Sequence, residues 1–228
     1  MGRQAGTPTR RPLTPDRPLT LDDLDGEISL PWYYSWWRVA AISMAVTLAV
    51  VGAVGLAVGG NPGAKSVDVG FLQDMRSHHD QAVQMSLSFL TKTDVDPTLH
   101  TIAAEILLAQ QQETGIMVEI LRRYGAEEEN STGTSMSWMG ESVPTDRMPG
   151  MASDAELARL DAATGSEADQ LFIELMIAHH QGGIHMAQYA AAHADTGRVG
   201  DAARTMAVVQ SEEVDELQTI SARLGSPG

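Results

Sequence analysis

The sequence predicts an all-α protein, a four-helix bundle made of two repeated helix hairpins and preceded by one transmembrane helix. Three observations support this prediction. Beyond residue 61 the chain is dominated by Leu, Ala, Met, Glu and Gln, and its apolar residues recur at spacings of three and four, as in amphipathic helices. One pattern of residues occurs twice, about one hundred residues apart. An uncharged run of 22 residues, 39–60, precedes both copies.

The first 60 residues predict a tail and an anchor. Residues 1–31 are rich in Pro, Thr, Arg and Asp, which is typical of a disordered tail. Residues 32–60 form the predicted anchor, because the run 39–60 would be roughly 33 Å long as a helix and would span a lipid bilayer. Trp and Tyr cluster at its start and Arg38 marks the inner flank, so the tail is predicted to be cytoplasmic and the remaining chain extracytoplasmic. A cleaved signal peptide is the alternative, since small residues near the end of the run offer a weak cleavage site.

The charge of the chain is concentrated in residues 61–228. The net charge is −15, and this segment carries 10 basic and 25 acidic residues. Such a surface argues against nucleic acid as a partner and favours attraction of cations, although it is also typical of a surface that only keeps a protein soluble. The chain has no cysteine, which excludes disulfides and thiolate metal sites.

Capping signals indicate where the helices of residues 61–228 begin and end. Asp96 followed by Pro97 predicts a helix start, and Ser153 with Glu156 predicts a capping box. Residues 126–152 are rich in Gly, Ser, Pro and Met and predict a loop. The predicted helices cover about 66–91, 97–124, a short segment after Ser153, 166–193 and 198–224.

The repeats, 66–125 and 166–225, share a motif, Met-x-x-His-His-x5-Met. Its members Met75, His78, His79 and Met85 match Met176, His179, His180 and Met186 at an offset of 101. Further matches at an offset of 100 are Gln110 with Gln210, Glu113 with Glu213, and Gly125 with Gly225. One hairpin could not bury its own apolar stripe, so two hairpins are predicted to pack together with approximate twofold symmetry.

A helical wheel indicates which side chains of the motif point inward. At about 100° per residue, His78 and His79 each fall within about 60° of Met75, and Met85 lies two turns along the same edge. His185 falls on the opposite side and is predicted to lie at the surface.

Imidazole and thioether together, without cysteine, favour Cu(I) above other biological ions. The candidate ligands are Met75, His78, His79, Met85, Met176, His179, His180 and Met186. Glu113 and Glu213 are predicted to accept the outer N–H of the histidines, or else only to solvate the bundle surface. No Glu-x-x-His sequence occurs, which disfavours a di-iron centre. The alternative for the whole motif is structural, with methionine filling the core and hydrogen-bonded core histidines.

Two Met-x-x-Met pairs lie in the predicted loop. They are Met136 with Met139, and Met148 with Met151. Methionine in a polar, Gly/Pro-rich segment is not explained by a helix core. Three interpretations remain open: a lid over the bundle, a hydrophobic plug, or additional thioethers for a metal ion.

The segment "DRMPGMASDAELARLDAATGSEADQLFIELMIAHHQGGIHMA", residues 146–187, resembles the domain of unknown function 305 family, and "FLQDMRSHHDQAVQMS" resembles the first half of that domain. The resemblance covers roughly residues 66–225. It implies a ferritin-like helical bundle in the bacterial envelope, and some family members are implicated in copper binding and copper tolerance. By position, it implies His78, His79 and Met85 as ligands in the first repeat, and His179, His180 and Met186 in the second. His185 stands where an acidic or amide residue is expected.

These patterns predict a membrane-anchored, extracytoplasmic protein that binds Cu(I) and buffers it or delivers it to an acceptor. The alternative is an accessory or scaffolding subunit of a membrane complex, in which the His/Met cluster is structural. A redox enzyme is the third hypothesis, but no poised catalytic acid or nucleophile is visible, so we predict no enzymatic activity. The expected partners are the lipid bilayer, through residues 39–60, and a copper acceptor or membrane protein.

Overall fold

The computed structural model describes residues 62–63 and 66–225. The predicted tail and anchor, 1–31 and 32–60, lie outside these residues. The all-α prediction is confirmed for the part of the chain that is described. Within residues 66–225, no helix combines the length and apolar character needed to cross a membrane.

Five helices form the described structure. They are α1 (Val67–Leu90), α2 (Pro97–Tyr124), α3 (Asp154–Ala162), α4 (Gly165–His193) and α5 (Gly197–Leu224). Between α2 and α3 lie two short antiparallel strands, β1 (Thr134–Ser135) and β2 (Val143–Pro144), and two 3₁₀ turns, Ser137–Met139 and Thr145–Arg147. Each helix begins and ends within about one residue of its predicted position, because the predicted capping residues do cap the helices.

The caps that the sequence predicts are present. The Asp96 carboxylate accepts hydrogen bonds from the backbone N–H of Thr98 and Leu99 at the start of α2. Ser153 and Glu156 form the capping box of α3. Helix α2 ends at Gly125 in the left-handed conformation, with φ of +66°, which glycine adopts without a Cβ clash.

The long helices pack as two hairpins, α1 with α2 and α4 with α5. The main contact between the hairpins joins α1 and α4, whereas α2 and α5 touch little. The two central helices run antiparallel: Phe89 near the end of α1 stacks on Phe172 near the start of α4, with ring centroids 4.4 Å apart.

A polar layer divides the core of the bundle into two hydrophobic clusters. The α3-side cluster includes Phe89, Ile106, Leu160, Phe172 and Leu217. The loop-side cluster includes Phe71, Met117, Met136, Met148 and Met206. On each long helix, the residues of one cluster precede the layer and those of the other follow it. The polar layer consists of His78, His79, Gln110, Glu113, His179, His180, Gln210 and Glu213.

The loop of residues 126–152 is held against α1 by hydrogen bonds from two α1 side chains, the buried Asp74 and the half-buried Gln81. The Asp74 carboxylate accepts hydrogen bonds from the backbone N–H of Met136 (2.7 Å) and the indole N–H of Trp138 (2.8 Å). One turn beyond the polar layer, Gln81 bonds both the N–H and the carbonyl of Ala152, at 2.7 and 2.9 Å. The loop is therefore a fixed part of the fold that covers one face of α1.

Candidate metal centre

The histidines of the two repeats meet at the contact between α1 and α4. The rings of His78 and His179 lie 3.7 Å apart between centroids, with 31° between their planes. The His179 and His180 ring centroids are 6.1 Å apart. All four histidines have at most 1% of their surface exposed. The fold thus gathers four imidazoles that are far apart in the sequence.

The outer ring nitrogens of three histidines face acceptor oxygens. His79 Nε2 lies 2.7 Å from Glu113 Oε2 in a hydrogen bond. His180 Nε2 lies at the same distance from Glu213 Oε2, although without the alignment of a hydrogen bond. His78 Nε2 donates to the carbonyl oxygen of Pro149 at 3.1 Å. The two glutamates thus occupy the positions predicted for them, beside one histidine of each repeat.

These contacts determine which nitrogen of the ring carries a lone pair. A carbonyl oxygen only accepts, so neutral His78 holds its proton on Nε2 and leaves the lone pair on Nδ1. The same reasoning applies to His79 against the Glu113 carboxylate. Among the described residues, Nδ1 of all four histidines has no hydrogen-bond partner, and neither does Nε2 of His179. Buried polar atoms without partners are uncommon in folded proteins, and a missing ion is one explanation for them.

Burial keeps two of these rings uncharged. Burial and, to a smaller extent, the neighbouring His79 lower the pKa of His78 from 6.5 to about 3, although the bond to Pro149 acts in the opposite direction. Burial also places the pKa of His179 well below its ordinary value, and the imidazole of His78 adds to this effect. The neutral form is the one that binds metal ions.

The four motif methionines are fully buried and form two pairs that cross the repeats. Met75 of the first repeat and Met186 of the second lie in the loop-side cluster. Met85 and Met176 lie in the α3-side cluster. Because α1 and α4 run antiparallel, the first methionine of each motif lies in the same cluster as the last methionine of the other. Each side of the polar layer therefore has one thioether from each repeat.

The donor set fits a soft ion better than a hard one. In the described part of the chain, no group of three or more His, Cys, Asp or Glu side chains is gathered closely enough to hold a metal ion by itself. The soft donors that the two repeats place at this layer and on either side of it are imidazole nitrogen and thioether sulfur. His/Met coordination of this kind is characteristic of Cu(I).

The loop closes tightly over the polar layer. A Cβ added at Gly182 of α4 would overlap the backbone of Pro149, and one at Gly150 would lie 2.8 Å from His179 Cα. Gly150 also has φ of +80°, which disfavours other residues. Glycine at both positions lets the loop backbone approach α4 and reach His78.

His185, which the helical wheel places on the opposite side from the other motif residues, lies at the surface as predicted. His185 is exposed on α4.

Met136 and Met148 of the loop are buried in the loop-side cluster, and Met139 and Met151 are partly buried against it. The loop methionines thus form a hydrophobic plug, one of the three predicted possibilities.

Several residues that shape the site escaped the sequence analysis. The sequence near Asp74 and Pro149 does not indicate their roles, because each contacts residues that are far away in the sequence. Asp68 and Asp169 could have been found, because they match at the same offset of 101 as the motif. Each is buried and accepts a backbone hydrogen bond from the residue or turn that precedes the second helix of the other hairpin: Asp68 from Asp195 at 2.6 Å, and Asp169 from Asp96 at 3.0 Å.

The family model described as "Domain of unknown function (DUF305)" matches residues 68–221. The chain is similar to the crystal structure of a DUF305 protein from Streptomyces coelicolor, with 34% identity and a TM-score of 0.66, over 72% of this chain and 97% of that one. A DUF305 fragment from Deinococcus radiodurans is 29% identical, with a TM-score of 0.59, over 69% of this chain and 96% of that one.

CopM is a more distant structural neighbour. Its Cu(I)-bound form is 23% identical to this chain, with a TM-score of 0.53, over 70% of this chain and 98% of that one. Cu(II)-bound and Ag-bound forms of CopM also match. This likeness shows the fold alone. Comparison with curated proteins gives no match. The family model covers more than half of the sequence, and the resemblance noted from the motifs is confirmed: this chain belongs to the DUF305 family.

Proposed function

We propose that this protein is a membrane-anchored, extracytoplasmic Cu(I)-binding protein that buffers the ion or delivers it to an acceptor. One observation carries the proposal: four buried imidazoles have unpartnered Nδ1 atoms while the outer nitrogens of three of them face acceptor oxygens. This is the arrangement of metal-binding histidines, whose second nitrogen is usually held by a carboxylate or carbonyl.

The ligands of the proposed site come from both repeats. His78, His79, His179 and His180 supply imidazole nitrogen. Met75 with Met186, and Met85 with Met176, supply thioethers on the two sides of the layer. Burial holds His78 and His179 in the neutral form, so binding there does not require loss of a proton at neutral pH.

The surroundings of the site agree with a carrier rather than an enzyme. The excess of acidic residues in residues 61–228 raises the local concentration of cations. The proposal assigns no catalytic residue, and the bound ion is cargo. The fold of this chain is similar to that of CopM, which has been solved with Cu(I), Cu(II) and Ag. This similarity supports a soft monovalent ion as the first candidate.

A competitive Cu(I) titration of the full chain in detergent micelles, with a chromophoric chelator under reducing conditions, tests the proposal. The decisive variant is His79→Gln with His180→Gln, because glutamine can still donate to Glu113 and Glu213 but lacks the imidazole lone pair. His185→Gln is the matched control, since His185 lies exposed on the same helix as His180. We expect stoichiometric binding by the unaltered chain and the control, and at least a tenfold loss of affinity in the double variant. Failure of the unaltered chain to compete for Cu(I) would overturn the proposal.

An accessory subunit of a membrane complex is the second candidate function. Exposed apolar side chains favour it: Leu108 is 67% exposed and Val208 is 54% exposed, at equivalent positions of the two repeats. Copurification of a membrane partner that is lost on Leu108→Gln with Val208→Gln, together with no Cu(I) binding, would support this function instead.

A further inference from the structure

We infer that the loop-side cluster holds a second site for a soft monovalent metal ion, built from thioethers alone, in which Met136 and Met148 of the loop join Met75 and Met186. This inference extends the proposed function: it assigns Met75 and Met186 to the loop-side site and leaves Met85 and Met176 as the thioethers of the histidine site. It does not require the histidines to bind metal. It gives the loop methionines a role beyond the hydrophobic packing described above.

The first argument is the uneven distribution of methionine. Of the ten methionines in the described part of the chain, eight lie in the loop-side cluster or against it, and two lie in the α3-side cluster. The α3-side core is filled mainly by Leu, Ile, Phe and Ala instead. Filling a core of this size therefore does not require methionine, and its concentration at one end calls for another cause.

The second argument is the way in which the loop presents its thioethers. In each Met-x-x-Met pair, the first residue is buried and the second lies partly exposed. Met136 holds a left-handed backbone with φ of +66°, which is uncommon for a residue other than glycine. The Asp74 carboxylate fixes this conformation by accepting the Met136 N–H at 2.7 Å. A strained residue is thus held so that its thioether lies inside the cluster.

The third argument is the position of Met148. It immediately precedes Pro149, whose carbonyl accepts the hydrogen bond of His78. Met148 is 2% exposed and shares a cluster with Met75 and Met186. The loop therefore brings another thioether to the side of the polar layer where one methionine of each repeat already lies. The α3-side cluster has no such addition.

Electrostatics at this end also favour a cation. Asp68 and Asp74, both on α1, are buried, and the hydrogen bonds they accept come from neutral groups, namely backbone N–H groups, a hydroxyl, a phenol, an indole and an amide. Thioethers are uncharged, so a bound monovalent ion would retain its charge close to Asp74, which accepts a hydrogen bond from Met136, one of the proposed ligands. Attraction between opposite charges is strong where water is excluded.

The ligand chemistry determines which ions fit. Coordination by neutral thioethers alone selects Cu(I) or Ag(I). It disfavours Cu(II), which prefers nitrogen and oxygen ligands, and Zn(II), whose sulfur ligands are thiolates. Met139 and Met151 are partly buried against the same cluster, each three residues after a buried methionine of the proposed site.

The test uses Ag(I) as the probe and the full chain, labelled with ¹³C at the methionine methyl groups. Native mass spectrometry counts the bound ions, and NMR reports which methyl groups shift. The variant is Met136→Leu with Met148→Leu, because leucine conserves the volume and removes the sulfur. The matched control is Met117→Leu with Met206→Leu, two buried methionines of the same cluster that the proposed site leaves out.

We expect the loop variant to bind one Ag(I) fewer than the control, and the Met136 and Met148 methyl signals of the unaltered chain to shift on binding. Both results should persist in the His79→Gln/His180→Gln background, which separates this site from the polar layer. Equal stoichiometry in the loop variant and the control, or unshifted methyl signals of Met136 and Met148, would overturn the inference even if the histidines bind metal.

Discussion

His78 and His179 occupy the same position in the two repeats, and their rings face each other across the α1–α4 contact at a centroid distance of 3.7 Å. Two imidazolium ions at this separation would repel strongly in a region without water. The contact therefore requires that at least one ring be neutral, in agreement with the lowered pKa of each. The contact also places the symmetry centre of the bundle at the candidate ligands, so packing and the proposed metal binding depend on the same residues.

Mild acid is expected to destabilise the metal-free protein. The unfolded chain binds a proton at each of these histidines below about pH 6.5, whereas the folded chain does not until the pH approaches the lowered pKa of about 3 for His78. The free energy of unfolding is therefore greatest above pH 6.5 and falls as the pH falls, by about 1.4 kcal/mol per pH unit for each such histidine. Urea denaturation at several pH values between 7 and 5 measures this slope.

The double variant His78→Gln/His179→Gln provides the comparison for the pH dependence. Glutamine does not titrate, so the slope between pH 6.5 and 5 should become much shallower. A slope that is the same in the variant and the unaltered chain would show that other groups cause the acid sensitivity.

Replacing Glu113 by Gln is expected to weaken Cu(I) binding by about 10- to 100-fold without unfolding the protein. Glutamine can still accept the hydrogen bond of His79, but it lacks the negative charge that makes the imidazole a stronger ligand. Chelator competition measures the change. Glu119→Gln is the control on the same helix, because Glu119 is exposed and pairs with Arg123. Equal affinity in the two variants would mean that the Glu113 carboxylate does not act on the metal site.

Gly182→Ala is expected to destabilise the protein by about 1–3 kcal/mol, since the new Cβ would overlap the Pro149 backbone and push the loop away from His78. Gly115→Ala is the matched control, because no heavy atom lies within 4 Å of its new Cβ. That change should stabilise α2 by about 0.5–1 kcal/mol. Urea denaturation compares the two. A neutral Gly182→Ala would show that the close approach of the loop is dispensable.

The sequence alone predicts where the helices begin and end, but it does not predict how the site is assembled. Helix ends such as Pro97 and Ser153 follow from interactions within a few residues, which a local pattern records. The inward direction of His78 and the exposed position of His185 follow from helix geometry alone. The exchange of methionines between repeats depends on α1 and α4 running antiparallel, which no local pattern reports. The bond between His78 and Pro149 joins residues 71 positions apart, so only the folded chain reveals it.

Asp74→Asn is expected to loosen the loop that carries the buried methionines. One oxygen of Asp74 accepts two hydrogen bonds, from Met136 N–H and the Trp138 indole, and the other accepts the Asn130 amide at 3.1 Å. Asparagine has only one acceptor oxygen. Its NH₂ group would therefore face at least one of these donors, which would lose its hydrogen bond. The expected cost is about 1–3 kcal/mol, because Asp74 and Met136 are buried. Hydrogen exchange at residues 134–139 should accelerate.

Asp80→Asn separates this effect from a general loss of negative charge on α1. The Asp80 side chain is 52% exposed, and its contact with Arg76 is long, at 3.5 Å. Exposed pairs of this kind contribute less than about 1 kcal/mol, so exchange in the loop should not change. If both variants leave exchange at residues 134–139 unchanged, the packing of Met136 and Trp138 is enough to hold the loop. Asp74 would then matter for the charge of the loop-side cluster rather than for the placement of its thioethers.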